Sequence, residues 1–232
     1  MKKLIFLFFF TLALCGCEEL PKDINVTEDF NYENIPDGDY EVYQYFIQIF
    51  KVPTKIEVKQ DRGIVYLEVS GDNLSTIHKD HPSFEKAKEL AEFYGDKSYY
   101  KGSQPFANSP LAYPIDKITI RCKSDFDAKH PAGVPLDDVV KLKYYTYYEF
   151  IKNGYEIPTD IPQENRMGNL VLYVLNFENI HADVATLIEL RTELTPRVHF
   201  DSAPAEPGEY NFVLETTING KVFTSKFSYT FE

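Results

Sequence analysis

The clearest hydropathy pattern in the chain lies at its C-terminal end, where two runs of alternating large apolar and polar side chains flank Asn219-Gly220. Alternation at period two suits a half-buried strand, and Asn-Gly favours the two-residue type I′ turn of a hairpin. Such a turn sets Ile218 opposite Lys221, and then Tyr210 opposite Tyr229, Phe212 opposite Phe227 and Thr216 opposite Phe223. Tyr210, Phe212, Leu214, Ile218, Phe223, Phe227 and Tyr229 share one face, while Glu209, Asn211, Glu215, Lys226 and Ser228 take the other. A slip of one residue would turn the apolar set to water. At roughly 2 kcal/mol per large side chain, that face is the largest single gain in burial the pattern predicts.

The same alternation recurs upstream. Ile56 and Val58 interleave with Glu57 and Lys59, and after Asp61-Arg62-Gly63 come Val65, Leu67 and Val69, which predicts a second hairpin. Ile118, Ile120 and Cys122 share a strand face opposite Lys117, Thr119 and Arg121, so Cys122 points into the core as a small apolar residue. Further strands are expected at 170–177, 186–194 and 198–200. Within 40–50, Tyr43, Tyr45, Ile47 and Ile49 fit one strand face, although Val42, Phe46 and Phe50 also recur at helical spacing. Phe84, Ala87, Ala91 and Tyr94 recur at three and four, with Ser83 placed to cap the helix and Gly95 to stop it. From 95 to 112 there is turn chemistry without a period, which predicts a loop.

The N-terminal pattern is of another kind. Met1-Lys2-Lys3 precedes a nearly unbroken apolar run from Leu4 to Leu14, too short to cross about 30 Å of hydrocarbon. Leu14-Cys15-Gly16-Cys17 resembles a lipobox, in which Cys17 receives lipid because Gly16 is small, whereas Cys15 follows the bulky Leu14. The expected layout is a signal peptide at 1–16, lipid attachment at Cys17 followed by a flexible acidic tether to 38, and a β domain at 39–232. A candidate internal boundary lies near 96–112. One acyl chain holds a protein reversibly, but two or three hold it firmly, each buried CH₂ adding about 0.8 kcal/mol.

Charge sharpens this picture. The formal net charge is −12, and loss of Lys2 and Lys3 would make it more negative still. A polyanion is repelled by nucleic acid and by anionic head groups, so attachment falls to the lipid and no nucleic-acid partner is expected. Of three cysteines only Cys122 would lie in the folded part, which leaves no intramolecular disulfide. Trp is absent, while 17 Tyr and 18 Phe supply large side chains that favour strands.

Glu206-Pro207-Gly208-Glu209-Tyr210 resembles the turn before strand F of immunoglobulin-like sandwiches, where a tyrosine bonds back to the backbone. The expected fold is therefore mainly β: an immunoglobulin-like antiparallel β-sandwich with one short helical insertion. Tyr113-Pro114-Ile115-Asp116-Lys117-Ile118-Thr119-Ile120, Ser124-Asp125-Phe126-Asp127, His130-Pro131-Ala132-Gly133 and Leu136-Asp137-Asp138 resemble a family of Bacteroidetes-type lipoproteins with a sandwich fold and no assigned activity. That resemblance implies a lipid anchor in a Gram-negative outer membrane, on its surface or periplasmic side. Glu18-Glu19 look like the surface-export signal of such lipoproteins, or else belong to a solvated linker.

Candidate chemistry is sparse. His78 and His81 beside Asp80 are short of the three or four ligands zinc needs. Asp125 and Asp127, with Asp137 and Asp138 nearby, offer oxygens to calcium, against the plainer reading as turn residues bonding their own backbone. No Gly-x-Ser-x-Gly elbow or Gly-rich phosphate loop is present, so no cofactor is implied. Tyr144, Tyr145, Tyr147 and Tyr148 cannot all point one way, and exposed members would suit sugar stacking or a protein partner. The alternative is a strand buried on both faces. The sequence thus predicts a non-enzymatic, membrane-anchored binding or interaction module whose ligand it does not name, a glycan and an envelope protein being the candidate partners. A glycan-binding accessory protein is the second reading and an unrecognised hydrolase the third.

Overall fold

The computed structural model describes residues 44–99 and 108–232. The expected signal peptide, Cys17, the expected tether and the first part of the 40–50 stretch lie outside the described residues. Among the described residues nine strands form two antiparallel sheets: β1 (Ile49–Asp61), β2 (Ile64–Ser75), β3 (Ile115–Cys122), β4 (Val140–Thr146), β5 (Arg166–Met167), β6 (Leu170–Asn176), β7 (Arg197–Phe200), β8 (Gly208–Ile218) and β9 (Lys221–Phe231). One sheet has the order β1-β2-β7-β4-β6-β5, and the other β3-β8-β9. Assigning A and B to β1 and β2, C and D to β3 and β4, and E, F and G to β7, β8 and β9 yields A-B-E-D and C-F-G. Those are the two sheets of a constant-type immunoglobulin sandwich. β5 and β6 are inserted between D and E and extend the first sheet beyond D. Helix α1 (Phe84–Phe93) lies between B and C, and a second helix absent from the sequence reading, α2 (Tyr148–Lys152), follows D.

Both expected hairpins form, and the C-terminal one has the expected register. Asn219 and Gly220 sit at φ 48° and 71°, and Arg62 and Gly63 at 48° and 80°, the doubly positive pattern of a type I′ turn. Tyr210 pairs with Tyr229, Phe212 with Phe227 and Ile218 with Lys221. The Tyr210 hydroxyl donates to the Glu206 carbonyl at 2.8 Å, which closes the corner before F. Two residues on, where many immunoglobulin domains have a cysteine, stands fully buried Phe212. Its ring lies 5.1 Å from Phe200 of the opposite sheet, so aromatic packing joins the layers. Cys122 is buried on β3 as expected. In β1 a bulge between Pro53 and Lys55 lets the strand pass Gly71, where a Cβ would meet the Val52 carbonyl oxygen at 1.9 Å.

Two expected strands are different. Of the described residues 44–50, only Ile49 and Phe50 belong to a strand; 44–48 is irregular, with Phe46 and Ile47 buried. Its backbone is held by side chains: the Phe46 and Ile47 amides donate to the Asp96 carboxylate at 2.8 and 2.7 Å. Asn108 accepts from the Gln48 amide and donates to the Phe46 carbonyl, both at 2.8 Å. Residues 186–194 form only isolated bridges, because Leu187 turns at φ 49° and its neighbours bond singly to 108–111 and β4. Ser83 does precede α1, but its hydroxyl makes no cap bond; it accepts from the Ser75 amide at 3.0 Å. One hydrophobic cluster includes residues from Tyr45 to Phe223, on both sides of the candidate boundary near 96–112.

Asp96 is completely buried; burial pushes its pKa up to about 6, against the opposing hydrogen bonds from Ile47, Phe46 and Tyr155. Its proton is therefore held more tightly in the folded than in the unfolded chain. Measured against an Asp96→Asn variant by urea unfolding, stability will fall by up to about 3 kcal/mol as pH rises from about 4 to about 6, and be level above. Tyr210→Phe keeps the ring and removes the corner hydrogen bond, which will cost about 1 kcal/mol in the same assay.

Candidate functional site

The four tyrosines do not form a platform. β4 ends at Thr146 and α2 begins at Tyr148, so the run turns a corner and its side chains separate. Tyr144 and Tyr147 are buried. Tyr144 stacks on Tyr173, rings 5.6 Å apart and 10° from parallel, and its hydroxyl donates to the Val184 carbonyl at 2.9 Å. Tyr147 packs edge-on to Phe46, and its hydroxyl accepts from Arg191 at 3.2 Å. Burial raises both pKa values well above the usual tyrosine range. Of the four, only Tyr145 and Tyr148 are half-buried. Tyr145 alternates with Tyr144 onto the outer face of β4, where it is half-buried and packs in part against the hydrophobic cluster, and Tyr148 lies under the Lys152 ammonium, 5.1 Å from the ring centre.

The aspartates act on backbone and on one histidine. Asp125 accepts from the Ala132 amide at 2.8 Å, and Asp127 from the Lys129 and His130 amides at 2.7 and 2.9 Å. The Asp137 carboxylate accepts from the Ile120 amide at 2.9 Å, so it covers the free edge of β3 instead of facing a metal. Among the described residues no group of three His, Cys, Asp or Glu side chains is arranged to hold a metal ion. His81 and Ser83 bond each other, Nδ1 to Oγ, at 2.7 Å. His130 is buried, with Nδ1 2.8 Å from Asp127 and Nε2 3.0 Å from Asp138. A neutral ring has one N–H, so only imidazolium donates to both carboxylates. Burial alone pulls the His130 pKa down, but hydrogen bonds and charge from Asp127 and Asp138 outweigh it, and the net direction is upward.

A third constellation does not stand out in the sequence. On the outer face of the first sheet, Lys141, Lys143 and Tyr145 alternate along β4, with Arg197 and His199 beside them on β7. Lys143 lies directly opposite Arg197, a like-charge pair that disfavours a sheet by roughly 0.2–1 kcal/mol. Neighbouring cations are matched: Lys141 pairs with Asp201 at 2.5 Å, and Arg191 lies 3.5 Å from the buried Glu189 carboxylate. Among the described residues Lys143 has no such carboxylate, and Arg197 bonds only the Glu193 backbone carbonyl, at 3.3 Å. Two adjoining troughs of about 290 and about 430 Å³ share Lys143 and Arg197. The first also contains Tyr145, Arg191 and the exposed Glu193; the second runs to Asp201, Tyr229 and Phe231. The period-two spacing of Lys141, Lys143 and Tyr145 is visible in the sequence, but the β7 residues opposite are not.

A scan against protein-family models finds no match, and neither the curated proteins nor the solved structures yield a similar protein.

The two-carboxylate contact stabilises the fold while His130 is charged; this contribution is complete below pH 6.5 and is lost as pH rises through the higher folded value. An NMR titration will place the His130 midpoint above 6.5, and Asp127→Asn with Asp138→Asn will bring it down.

Proposed function

We propose that the chain is a lipid-anchored lipoprotein of a Gram-negative outer membrane whose immunoglobulin-like sandwich serves as a non-catalytic binding module. The observation that carries this reading is Leu14-Cys15-Gly16-Cys17 behind a cationic head and a short apolar run. The resemblance to Bacteroidetes-type lipoproteins agrees with it, as does a net charge of −12, which leaves attachment to the acyl chains. A stable sandwich on an acidic tether presents its sheet faces to the surroundings, and the β4–β7 face has the troughs in which a ligand would be held.

The glycan-binding reading is favoured by one specific feature, Tyr145, whose half-buried ring flanks the first trough. The face of a pyranose ring presents C–H groups that pack on such an aromatic surface. Tyr144 and Tyr147 have no part in it.

Expressed in a Gram-negative host, the wild type will fractionate with outer membranes and carry a lipid mass on an N-terminal Cys17. Cys17→Ala will lose the lipid and leave the membrane fraction that the acylated chain occupies. An unmodified, unprocessed amino end on the wild type would defeat the proposal.

A further inference from the structure

We infer that the β4–β7 troughs bind an acidic polysaccharide, with Lys143 and Arg197 taking its carboxylate or sulfate groups and Tyr145 stacking on an adjacent sugar ring. This rests on the binding-module reading and supplies the chemistry of its ligand.

The charges favour an anion. Lys141 and Arg191 already have carboxylates, so among the described residues the unmatched positive charge on this face is concentrated in Lys143 and Arg197. Two cations facing each other across a ladder oppose folding, and an oxyanion between them would relieve that repulsion. The surroundings favour a sugar. Among the described residues no aromatic ring packs against Tyr145, which shares the outer face of β4 with Lys143, two residues away. Exposed Glu193 in the first trough, and Asp201 in the second, provide acceptors for neutral hydroxyls. The first trough is close to the lower bound of about 300 Å³ for small-ligand sites. With the second adjoining it, the pair suits successive units of a chain. Duplex nucleic acid is disfavoured by its charge density, one negative charge per about 1.7 Å of helix axis, against a protein that is itself a polyanion.

The test is affinity electrophoresis of the full chain in detergent, through gels containing polygalacturonate, dextran sulfate or neutral dextran. The acidic polymers will retard the wild type, more strongly at low salt than at high salt, and dextran will not. Lys143→Ala and Arg197→Gln will each weaken retardation by about tenfold or more. Their thermal unfolding midpoints will be unchanged or higher, because the repulsion is gone; a purely structural role would lower them. Tyr145→Ala will weaken binding to polymer more than binding to inorganic sulfate.

Equal retardation of wild type and both cation variants would overturn the assignment. So would retardation by dextran alone, an outcome that leaves the binding-module reading standing. Displacement by inorganic sulfate as effective as by the polymer, at equal anion concentration, would overturn the polysaccharide and leave a simple anion site. No retardation in any gel would overturn the acidic ligand, whereas failure of the lipoprotein reading is seen separately in the Cys17 fractionation.

Discussion

Closing two sheets on each other without a covalent link is the constraint that shapes this molecule. The described chain has one free, buried cysteine on strand C and no partner for it, so burial must supply what a disulfide supplies in many sandwiches. Phe212 takes that central position on strand F and meets Phe200 from strand E. Phe126 packs against both Phe212 and Phe231, extending the aromatic contact toward the end of strand G. Each such ring contributes roughly 2 kcal/mol of burial and adds edge and stacking contacts beyond area. At one lateral edge, where A lies beside G, the Val58 amide donates to the Ser225 hydroxyl at 2.8 Å.

Where regular strand pairing stops, polar side chains take over the backbone's hydrogen bonds. Asp96 and Asn108 hold 46–48, Asp137 covers strand C, and Asp125 and Asp127 shape the loop between C and D. Buried amides need partners, and a carboxylate accepts several at once. The residues whose chemistry most resembles a metal site in the sequence are thus occupied with main-chain amides. Asp96 also receives the Tyr155 hydroxyl, which in turn accepts from the Lys97 and Ser98 amides. Tyr155 adopts φ 69°, uncommon for a bulky side chain, and this network holds it there.

The insertion between D and E changes what the sandwich can present. β6 pairs with strand D on the side away from E, so D becomes an interior strand, and its outward residues lie in the middle of a broad face instead of at an edge. Outward positions on such a strand are usually neutral or charge-balanced across the ladder. Lys143 and Arg197 depart from that rule on a chain whose net charge is −12, and they sit where two troughs meet. A local cost in stability at a concave, positively charged place is what a binding site for an anion entails.

The sequence by itself determined the elements whose partners are near in the chain. Both hairpins, and the register of the C-terminal one, follow from alternation plus a turn that admits positive φ, and the Tyr210 corner closes over four residues; α1 follows from its apolar spacing. Tertiary structure decided the rest, because the partners are distant. The 44–48 stretch has strand-like side chains, yet its amides go to Asp96 and Asn108, and 186–194 is parted into single bridges by the turn at Leu187. The tyrosine run was divided between a strand end and a helix, which buried Tyr144 and Tyr147 and left Tyr145 outward. Lys143 and Arg197 are 54 positions apart, and only the pairing of D with E sets them opposite each other. Local alternation specifies which face a side chain takes, but which residue lies across the ladder is decided by strand order, and strand order is set by how the two apolar faces are buried together.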